Sequence, residues 1–543
     1  MTLPRRLAGF IDVRPRLALV LLCLAMWLPG LFALPPTDRD ESRFAEATKQ
    51  MLQTGDFVRI MNGAVPRDKK PIGIHWLQAP FEAAAQAAGI ATENPIWPYR
   101  MPSLLGGIAA VLATFAAGEA LLADRRAALA GAAMLAACVL LTVEAHIAKT
   151  DAALLGATTV AMAVLARAWV GKPLGWAGAA SFWLALGAGI LIKGPISPMV
   201  VGLTSLAASL VSRRAGWLHA LRPAWGVPLL CLVVLPWFVA IGLATHGAFF
   251  GEALGGDLGR KLSAGEESHG GFPGIHLLLL PLLVFPATLP VLGGLAEGWK
   301  ARRRTAETFL LCWLIPGWLV FEAVPTRLPH YTLPLYPAVF LLAGAWFARG
   351  GYPAMAPLAR AIGRVLLGAA TLILGAGALV LPIEFGAPAW LGVPAALAAA
   401  AAGWLAGSGR LAAAFVAACF LYAGILQVEL PGIDTFWLAP RVAAALRQNC
   451  PACAPDGASV VAAGYAEPSL MFLVGSRLVF RPDGITAARS LAHGRTAALV
   501  AEADVPGFLA EAARLGLHPR EAATIDGFNY SRGKSARLRL FVS

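Results

Sequence analysis

The chain alternates between long apolar stretches and short polar segments over most of its length. Each apolar stretch is long enough to cross about 30 Å of hydrocarbon as a helix. Residues 1–429 are therefore expected to form an all-α polytopic membrane domain. The pattern predicts about 13 spanning helices, near residues 17–34, 101–122, 128–147, 152–170, 175–192, 196–212, 226–245, 276–297, 307–323, 334–348, 365–383, 390–407 and 411–428.

The pattern changes near residue 430, where the apolar runs shorten to the length of strands. The runs ASVVAAGY, SLMFLVG, RLVF and AALVAEA are followed by the amphipathic segment VPGFLAEAARLG. Short runs of this kind predict strands, and the last segment predicts a helix. Residues 430–543 are expected to form a small soluble α/β domain.

Composition supports a membrane protein and argues against a nucleic-acid partner. Hydrophobic residues make up 58% of the 543 residues and charged residues only 14%. A soluble interior cannot hide that much apolar surface, so membrane lipids must cover much of it. The net charge is +13, but the basic residues lie in small groups between apolar runs, as loop charges do, and no basic face or tail is formed.

Basic residues mark alternate loops and so predict the topology. The loops after even-numbered segments carry Arg125 with Arg126, Lys172, Arg213 with Arg214, Lys300 with Arg302 to Arg304, Arg349 with Arg360 and Arg364, and Arg410. Short loops rich in Lys and Arg stay in the cytoplasm. The N-terminus should then be cytoplasmic, with an uncleaved first helix rather than a signal peptide. The long first loop, residues 35–100, and the C-terminal domain should face outward.

The first outward loop begins with TDRDESRFAE, in which six of ten residues are charged. Solvated charges are the plain explanation, since long loops are exempt from the positive-inside rule. Yet Asp40, Lys70, Asp151, His269 and Tyr331 all fall on the same predicted side of the membrane. Carboxylates, cations and a polar rim facing one compartment are what transfer chemistry on a phosphorylated substrate requires.

Several motifs resemble those of a known family. DESRFAE followed by GDFVRIMNGAVPRDKKPIGIHWL resembles the first-loop signature of bacterial polyprenyl-phosphate-sugar transferases, and TDAALL, LIKGP and RLPHYTLPLYPA match further motifs in the same order. The family includes lipid A 4-amino-4-deoxy-L-arabinose transferases and, more distantly, protein O-mannosyltransferases. The resemblance implies a GT-C fold, a sugar donor on undecaprenyl phosphate, inversion at the anomeric carbon, and lipid A or another envelope glycan or lipid as acceptor.

The resemblance also implies roles for individual residues. The expected catalytic residues are Asp40, Glu41 and Asp151. The expected substrate-binding residues are Arg43 and Lys70 at the donor phosphate, and His269 and Tyr331 in the cavity lining. Asp40 could act as general base if the acceptor is a hydroxyl, or orient the acceptor or pair with an amine on the sugar if it is a phosphate. Asp38 lies outside the motif and is expected to have little effect.

Lys69 and Lys70 are expected to point in opposite directions. Lys70 precedes Pro71, which drives its backbone to an extended conformation. Neighbours on an extended segment face opposite sides. The motif places Lys70 toward the cavity, so Lys69 is expected to face solvent or headgroups. Lys69 and Ile72 also depart from the family pattern, which leaves the sugar and acceptor open.

The second outward loop, residues 246–275, is long enough to suggest a function. We expect it to close over the lipid entrance, with Arg260 near the phosphate. An interfacial helix without a role in chemistry is the alternative. Asp40, Glu41, Asp151 and His269 could also hold a divalent metal, although their spacing is not of the zinc kind.

Two alternatives concern other classes. A polytopic lipid or anion transporter or flippase would share this composition, but no inverted repeat is found and the notable charges lie at one boundary. A sensor would need a cytoplasmic output domain. Cys450 and Cys453, in CPAC, predict a local disulfide if the C-terminal domain is outside; a thiol pair or a metal half-site are the alternatives.

Overall fold

The computed structural model describes residues 5–67, 69–90, 94–258, 271–453 and 457–543. Helices dominate the chain as far as residue 449. In order they are α1 (Arg5–Val13), α2 (Pro15–Trp27), α3 (Asp40–Thr54), α4 (Gly73–Ala87), α5 (Trp97–Leu121), α6 (Arg125–Ala137), α7 (Val139–Ala145), α8 (Asp151–Trp169), α9 (Trp176–Lys193), α10 (Ile196–Ser212), α11 (Pro223–Ala244), α12 (Ala248–Phe250), α13 (Ile275–Leu283), α14 (Thr288–Lys300), α15 (Thr305–Ala323), α16 (Tyr336–Ala348), α17 (Gly351–Ala354), α18 (Pro357–Glu384), α19 (Val393–Gly407), α20 (Leu411–Ala423), α21 (Leu430–Gly432) and α22 (Leu438–Asn449). A π-helix, Gly251–Leu258, follows α12.

Within these ranges, nine helices are long and apolar enough to cross a membrane. They are Trp97–Leu121, Asp151–Trp169, Trp176–Lys193, Pro223–Ala244, Thr305–Ala323, Pro329–Ala348, Pro357–Glu384, Ala389–Gly407 and Leu411–Gly432. The pair α6 and α7, bent by 59°, gives a tenth span if counted as one, and α2 and α10 are shorter apolar helices. Each of the thirteen predicted segments overlaps a helix, whereas the number that crosses the membrane remains a prediction.

The outer faces of these helices are apolar. Leu210, Leu232, Leu243, Val365 and Phe420 are all more than half exposed. Exposed apolar side chains in such numbers would be unfavourable in water, whereas helices satisfy their own backbone hydrogen bonds and can present these side chains to lipid. The all-α membrane region expected from the sequence is confirmed.

The segment predicted as one helix over 276–297 is instead two helices, α13 and α14. Pro286 lies in the break between them. Proline has no amide hydrogen to donate and clashes with the preceding turn, so it interrupts a helix.

The first loop forms two amphipathic helices, α3 and α4, outside the spanning segments. α3 buries Phe44, Ala47 and Met51 on one face, at the spacing of an amphipathic helix. α4 begins at Gly73, where a Cβ would lie 2.6 Å from the carbonyl carbon of Leu191 in α9. Only glycine permits so close an approach. This contact holds the segment just before Gly73 beside the end of α9.

The C-terminal region forms a five-stranded mixed sheet. Its strands are β3 (Val460–Ala463), β4 (Val479–Arg481), β5 (Ala497–Ala501), β6 (Arg520–Asn529) and β7 (Lys534–Val542); a two-stranded ribbon in the first loop supplies β1 (Met61–Asn62) and β2 (Val65–Pro66). The order is β4-β3-β5-β7-β6, with β3 parallel to β4 and β5 and the remaining pairs antiparallel. The helices among these strands are α23 (Pro468–Val474), α24 (Gly484–Ala492) and α25 (Val505–Arg514).

Both faces of this sheet are covered. Val460 and Leu499 pack in one apolar cluster with α22 and α23, whereas Val461 and Val500 pack in another with α24 and α25. Residues in β3 are accordingly all buried, as expected for a strand with helices on both faces. The predicted α/β character is confirmed, and the boundary at residue 430 stays a prediction.

Candidate active site

A cavity of about 560 Å³ lies where the first loop meets α8, α9, α10 and the segment before α16. Most of its lining is apolar. The apolar side chains include Ile190, Met199, Phe238, Phe249, Phe250 and Phe321. The charged side chains that line it, among the described residues, are Lys69, Lys70, Lys193 and Asp151, with His330 beside them. The cavity therefore combines an apolar wall with an excess of positive charge, which suits an anion carried on an apolar chain.

Asp151, the first residue of α8, is the centre of a buried ion-pair network. Its Oδ1 lies 2.5 Å from Lys193 Nζ, and its Oδ2 lies 3.5 Å from Lys149 Nζ. The Nε2 atom of His330 lies 3.8 Å from Oδ1. Because Asp151 is only 5% exposed, a carboxylate there is stable only with cations so close.

Glu144 extends this network at the end of α7. Its Oε1 accepts a hydrogen bond from Lys149 Nζ at 3.1 Å and lies 3.6 Å from His330 Nδ1. Its Oε2 is buried without a hydrogen-bond donor in the described part of the chain. Burial alone would lower the pKa of Lys149, but Glu144 and Asp151 outweigh it and raise the pKa above its usual value. Lys149 therefore stays protonated.

Lys193 and Tyr331 face each other in the cavity. The Lys193 Nζ lies 5.4 Å from the centroid of the Tyr331 ring, within the range of a cation–π contact. Lys193 is the last residue of α9, and Gly194 follows with φ +64° and ψ −126°, a conformation that L side chains rarely adopt. The glycine ends the helix and leaves Lys193 at the cavity.

Asp40 begins α3 and lies among basic residues. Its Oδ1 is 3.5 Å from Arg67 Nη2 and 3.9 Å from Arg43 Nη1, and its side chain is 46% exposed. Burial would raise the pKa of Asp40, but the charges of Lys70, Arg67 and Lys149 outweigh it and lower the pKa to about 2. Asp40 is thus ionised across the physiological range.

Glu41, by contrast, is enclosed. The Arg100 guanidinium donates to both carboxylate oxygens, from Nε at 2.8 Å and from Nη2 at 3.0 Å. The backbone amides of Thr37 and Ala148 also donate to it, each at 2.8 Å. Burial would raise the pKa of Glu41, but Arg100 outweighs it and lowers the pKa. With both oxygens engaged and 0% of the side chain exposed, the arrangement favours a structural role over the catalytic role expected from the sequence.

The structure brings together part of the expected site. Lys70, Asp151 and Tyr331 line the cavity. Asp40 and Arg43 belong to an ion-pair cluster that includes Lys70 among the cations acting on Asp40. Arg260 and His269 lie outside the described residues. Lys69 was expected to face solvent or headgroups; it is exposed, but it also lines the cavity together with Lys70.

Two cavity residues were not predicted, Lys193 and His330. Lys193 lies in the motif LIKGP and His330 in the motif RLPHYTLPLYPA, so the sequence motifs could have identified both residues. A lysine at a helix end and a histidine beside a tyrosine are ordinary at a membrane boundary, and only the fold shows that they meet Asp151.

The described residues contain no group of three or more His, Cys, Asp or Glu side chains arranged to hold a metal ion. Cys450 and Cys453 are joined by a disulfide, with their Cα atoms 5.3 Å apart. Of the three alternatives for CPAC, the structure has the local disulfide.

Comparison with known proteins gives consistent likenesses in sequence. Residues 12–247 match the family described as dolichyl-phosphate-mannose-protein mannosyltransferase. The chain is 25% identical over 348 residues to an undecaprenyl phosphate-alpha-4-amino-4-deoxy-L-arabinose arabinosyl transferase of Pseudomonas fluorescens, covering 61% of this chain and 59% of the relative. It is also 25% identical to the enzyme of that name in Pectobacterium carotovorum, covering 63% and 60%. The matched region thus spans about three-fifths of these relatives.

Solved structures share the fold. ArnT from Cupriavidus metallidurans, in a crystal structure bound to undecaprenyl phosphate, matches with a TM-score of 0.72 and 20% identity over 97% of each chain. The archaeal oligosaccharyltransferase AglB from Archaeoglobus fulgidus matches with a TM-score of 0.51 and 12% identity, over 91% of this chain and 70% of AglB. The chain is a multi-pass membrane protein that has the fold of ArnT and resembles the arabinosyl transferases in sequence.

Proposed function

We propose that this protein is an inverting glycosyltransferase of the bacterial inner membrane. It transfers a sugar from undecaprenyl phosphate to lipid A or another envelope acceptor. The relatives named for the transfer of 4-amino-4-deoxy-L-arabinose support this class of donor. The matched relatives are covered only in part, so the activity rests chiefly on the geometry of the site.

The observation that carries the proposal is the pairing of apolar wall and lysines in one cavity. The aromatic and aliphatic side chains that include Phe238, Phe249 and Phe321 suit a polyprenyl chain. Lys70 and Lys193 reach the same space, and a lysine ammonium is a common partner for phosphate. A ligand with an anionic phosphate on an apolar tail satisfies both features.

The lysines then act on the leaving group. The acceptor attacks the anomeric carbon on the face opposite the phosphate, and the bond from that carbon to the phosphate oxygen breaks. Both electrons of the broken bond leave with undecaprenyl phosphate, which gains negative charge. Cations placed where charge develops lower the barrier, and Lys70 and Lys193 are among the cations that line the cavity.

Asp40 acts electrostatically in this proposal. An effective general base has a pKa near the working pH, whereas that of Asp40 is lowered to about 2. Asp40 is therefore a weak base, and it holds Arg67 and Arg43 in place or pairs with a cationic group on the sugar. An acceptor that is already ionised, such as a phosphate on lipid A, needs no base and is therefore compatible with the low pKa of Asp40.

The site is proposed to face the periplasm. Basic loops on the other side support this orientation by the positive-inside rule. A phosphatase fused after Ser543 should be active in intact bacteria; activity of a cytoplasm-only reporter at that position would reverse the orientation.

The test of the function is transfer by the purified protein. Undecaprenyl phosphate carrying a labelled sugar, chosen from a panel that includes 4-amino-4-deoxy-L-arabinose, is supplied with lipid A in proteoliposomes. Labelled lipid A is the expected product, and Lys193→Ala should reduce it. Lys172→Ala is the matched control, because Lys172 is exposed and bonds to the Glu119 carbonyl. A flippase would move the donor across the bilayer without any covalent product, and that result would overturn the proposal.

A further inference from the structure

Arg39, the residue before Asp40, has a rare backbone conformation. Its φ is +63° and its ψ is −113°. Arg213 and Arg222 also have positive φ, but their ψ values of 32° and 57° place them in the ordinary left-handed region. A residue other than glycine persists in a conformation like that of Arg39 only when its surroundings hold it there. The contacts around Arg39 therefore matter for where Asp40 lies.

Those contacts come from the C-terminal region. The backbone amide of Asp38 donates to the Tyr530 hydroxyl at 2.7 Å. The Arg39 guanidinium donates to the Ser531 carbonyl, and the Ser469 hydroxyl donates to the Asp38 carboxylate. Tyr530 and Ser531 lie in the turn between β6 and β7, and Ser469 lies in the first turn of α23. Three hydrogen bonds thus join two residues of the first loop to two elements of the sheet region.

The turn is itself fixed to the membrane region. Phe528 packs against Phe385, which follows α18, with ring centroids 4.9 Å apart. Phe436 packs against Phe385 at 4.4 Å and against Tyr530 at 6.0 Å. The hydroxyl of Tyr530 is therefore presented from a packed aromatic cluster and not from a loose loop.

We infer that Ser469, Tyr530 and Ser531 form a clamp that holds Asp38 and Arg39 and so positions Asp40 against Arg67. The Arg39 carbonyl accepts the first helical hydrogen bond of α3, from the Arg43 amide. Its conformation therefore sets the direction in which α3 starts, and the Asp40 carboxylate follows from that. The clamp residues are positioning residues, and their role in transfer rests on the proposed function.

The clamp predicts a particular pattern of kinetic effects. Tyr530→Phe removes the hydroxyl and keeps the ring contacts, so it should lower kcat by about tenfold, since small displacements of catalytic groups are costly. The KM for the undecaprenyl-phosphate donor should stay within about twofold, because Lys70 and Lys193 reach the cavity from other elements, the segment before α4 and the end of α9. Arg537→Gln is the matched control: Arg537 lies in the same hairpin and pairs with Asp526, so its kcat should match wild type.

Comparing Arg39→Gly with Arg39→Ala distinguishes an effect on the backbone conformation of residue 39 from the loss of side-chain contacts. Arg39→Ala loses the bond to Ser531 while still disfavouring the conformation, and it should lower kcat at least as much as Tyr530→Phe. Arg39→Gly adopts the conformation freely, and it should restore much of the kcat lost in Tyr530→Phe. Equal defects in Arg39→Ala and Arg39→Gly, or no rescue in the double variant, would overturn the clamp.

A second readout does not depend on activity. Amide hydrogen exchange of residues 38–43 in the full-length protein should be faster in Tyr530→Phe than in wild type, and unchanged in Arg537→Gln. If the wild-type protein transfers no sugar, the proposed function fails, while faster exchange still supports the clamp. If wild type transfers sugar but Tyr530→Phe shows wild-type exchange and kcat, the clamp fails alone.

Discussion

Arg100 and Glu41 form a bidentate ion pair in which neither side chain is exposed to solvent. Arg100, in the first turn of α5, also donates to the carbonyl oxygens of Leu31, Leu34 and Pro35. One guanidinium therefore ties the segment between α2 and α3 to the start of α3. Such planar, two-bonded recognition of a carboxylate is particular to arginine.

Removing one partner of this pair should destabilise the fold of the first loop, and any loss of transfer activity should follow from that loss of stability. Glu41→Gln leaves the buried Arg100 charge without its carboxylate, and breaking a buried pair costs about 3–5 kcal/mol. We expect a lower thermal unfolding temperature in detergent. Arg16→Gln is the control, because the Arg16–Glu119 pair is largely exposed at Arg16 and should contribute about 1 kcal/mol or less. A Glu41→Gln protein that is as stable as wild type but inactive would return Glu41 to a catalytic role.

Lys70 and Lys193 should share the donor phosphate. A charge-assisted hydrogen bond contributes about 1.5–3 kcal/mol, so either alanine variant should lower kcat/KM by at least about tenfold. The double variant should lose less than the product of the two single losses, because residues that act on one group are coupled. Fully multiplicative losses would indicate two separate roles. Lys69→Ala, measured beside them, should have the smallest effect because Lys69 is exposed.

Gly73→Ala tests how the first loop reaches α9. A Cβ at this position would lie 2.6 Å from backbone atoms of Leu191, and backbone cannot move aside as a flexible side chain can. The start of α4 should shift away, separating Lys70 from Lys193, and donor binding should weaken. Gly89→Ala is a poor control because of its φ of +72°; Gly178→Ala is suitable, since its nearest neighbour would be 3.5 Å away. Wild-type donor binding in Gly73→Ala would show that the contact is dispensable.

The ionisation of Asp40 gives a pH prediction. Its pKa, lowered to about 2, lies below the ordinary value, so its favourable ion pairs are present above about pH 4 and are lost only as the pH falls through the folded pKa. The rate profile between about pH 5 and 8 should therefore have no acid limb from Asp40. Arg67→Gln removes one of the cations that lower the pKa of Asp40, so the acid limb due to Asp40 should shift to higher pH. An acid limb near neutral pH that disappears in Asp40→Asn would identify Asp40 as a general base.

Asp38 should respond to pH in the opposite sense. Burial, with a smaller contribution from Glu467, raises the pKa of Asp38 to about 6, despite the hydrogen bond from Ser469. A raised acid pKa means that stability is fully present below the unfolded value and is lost as the pH rises through the folded pKa. Asp38→Asn keeps an acceptor for Ser469, so its unfolding temperature relative to wild type should rise between about pH 4 and 7. A difference that does not change with pH would contradict this.

The sequence predicted the membrane region and the sheet well because both follow from the lengths of the apolar runs. Long runs identify spanning helices whatever they pack against, and the short, continuously apolar runs of β3 and β5 follow from two covered faces. The break at Pro286 was missed because the apolar run continues through it. The positive-inside pattern predicted which loops share a side of the membrane. Among the described residues, nine or ten helices meet the length and apolarity needed to span, compared with the thirteen predicted.

The site was predicted in part, for a physical reason. Motifs identify residue types, so Asp40, Lys70, Asp151 and Tyr331 could be named. They do not reveal partners: Glu41 shares a motif with Asp40, yet its carboxylate turns toward Arg100. Likewise Lys193 meets Asp151 from a position 42 residues away. Asp38 was set aside because it lies outside the motif, although its amide bonds to Tyr530.

The bond between Asp38 and Tyr530 spans 492 positions of the chain, and this separation governs when the site can form. Residue 38 leaves the ribosome long before residue 530, and domains of a chain generally fold in the order of their synthesis. The first loop therefore lacks its contact with Tyr530 until the hairpin of β6 and β7 has been synthesised and has reached the same side of the membrane. Contacts so distant in sequence also form slowly. Assembly of the Asp40 region is thus a late event in the biogenesis of this protein, and truncation within the final hairpin would leave a membrane-inserted chain whose first loop lacks its finishing contact.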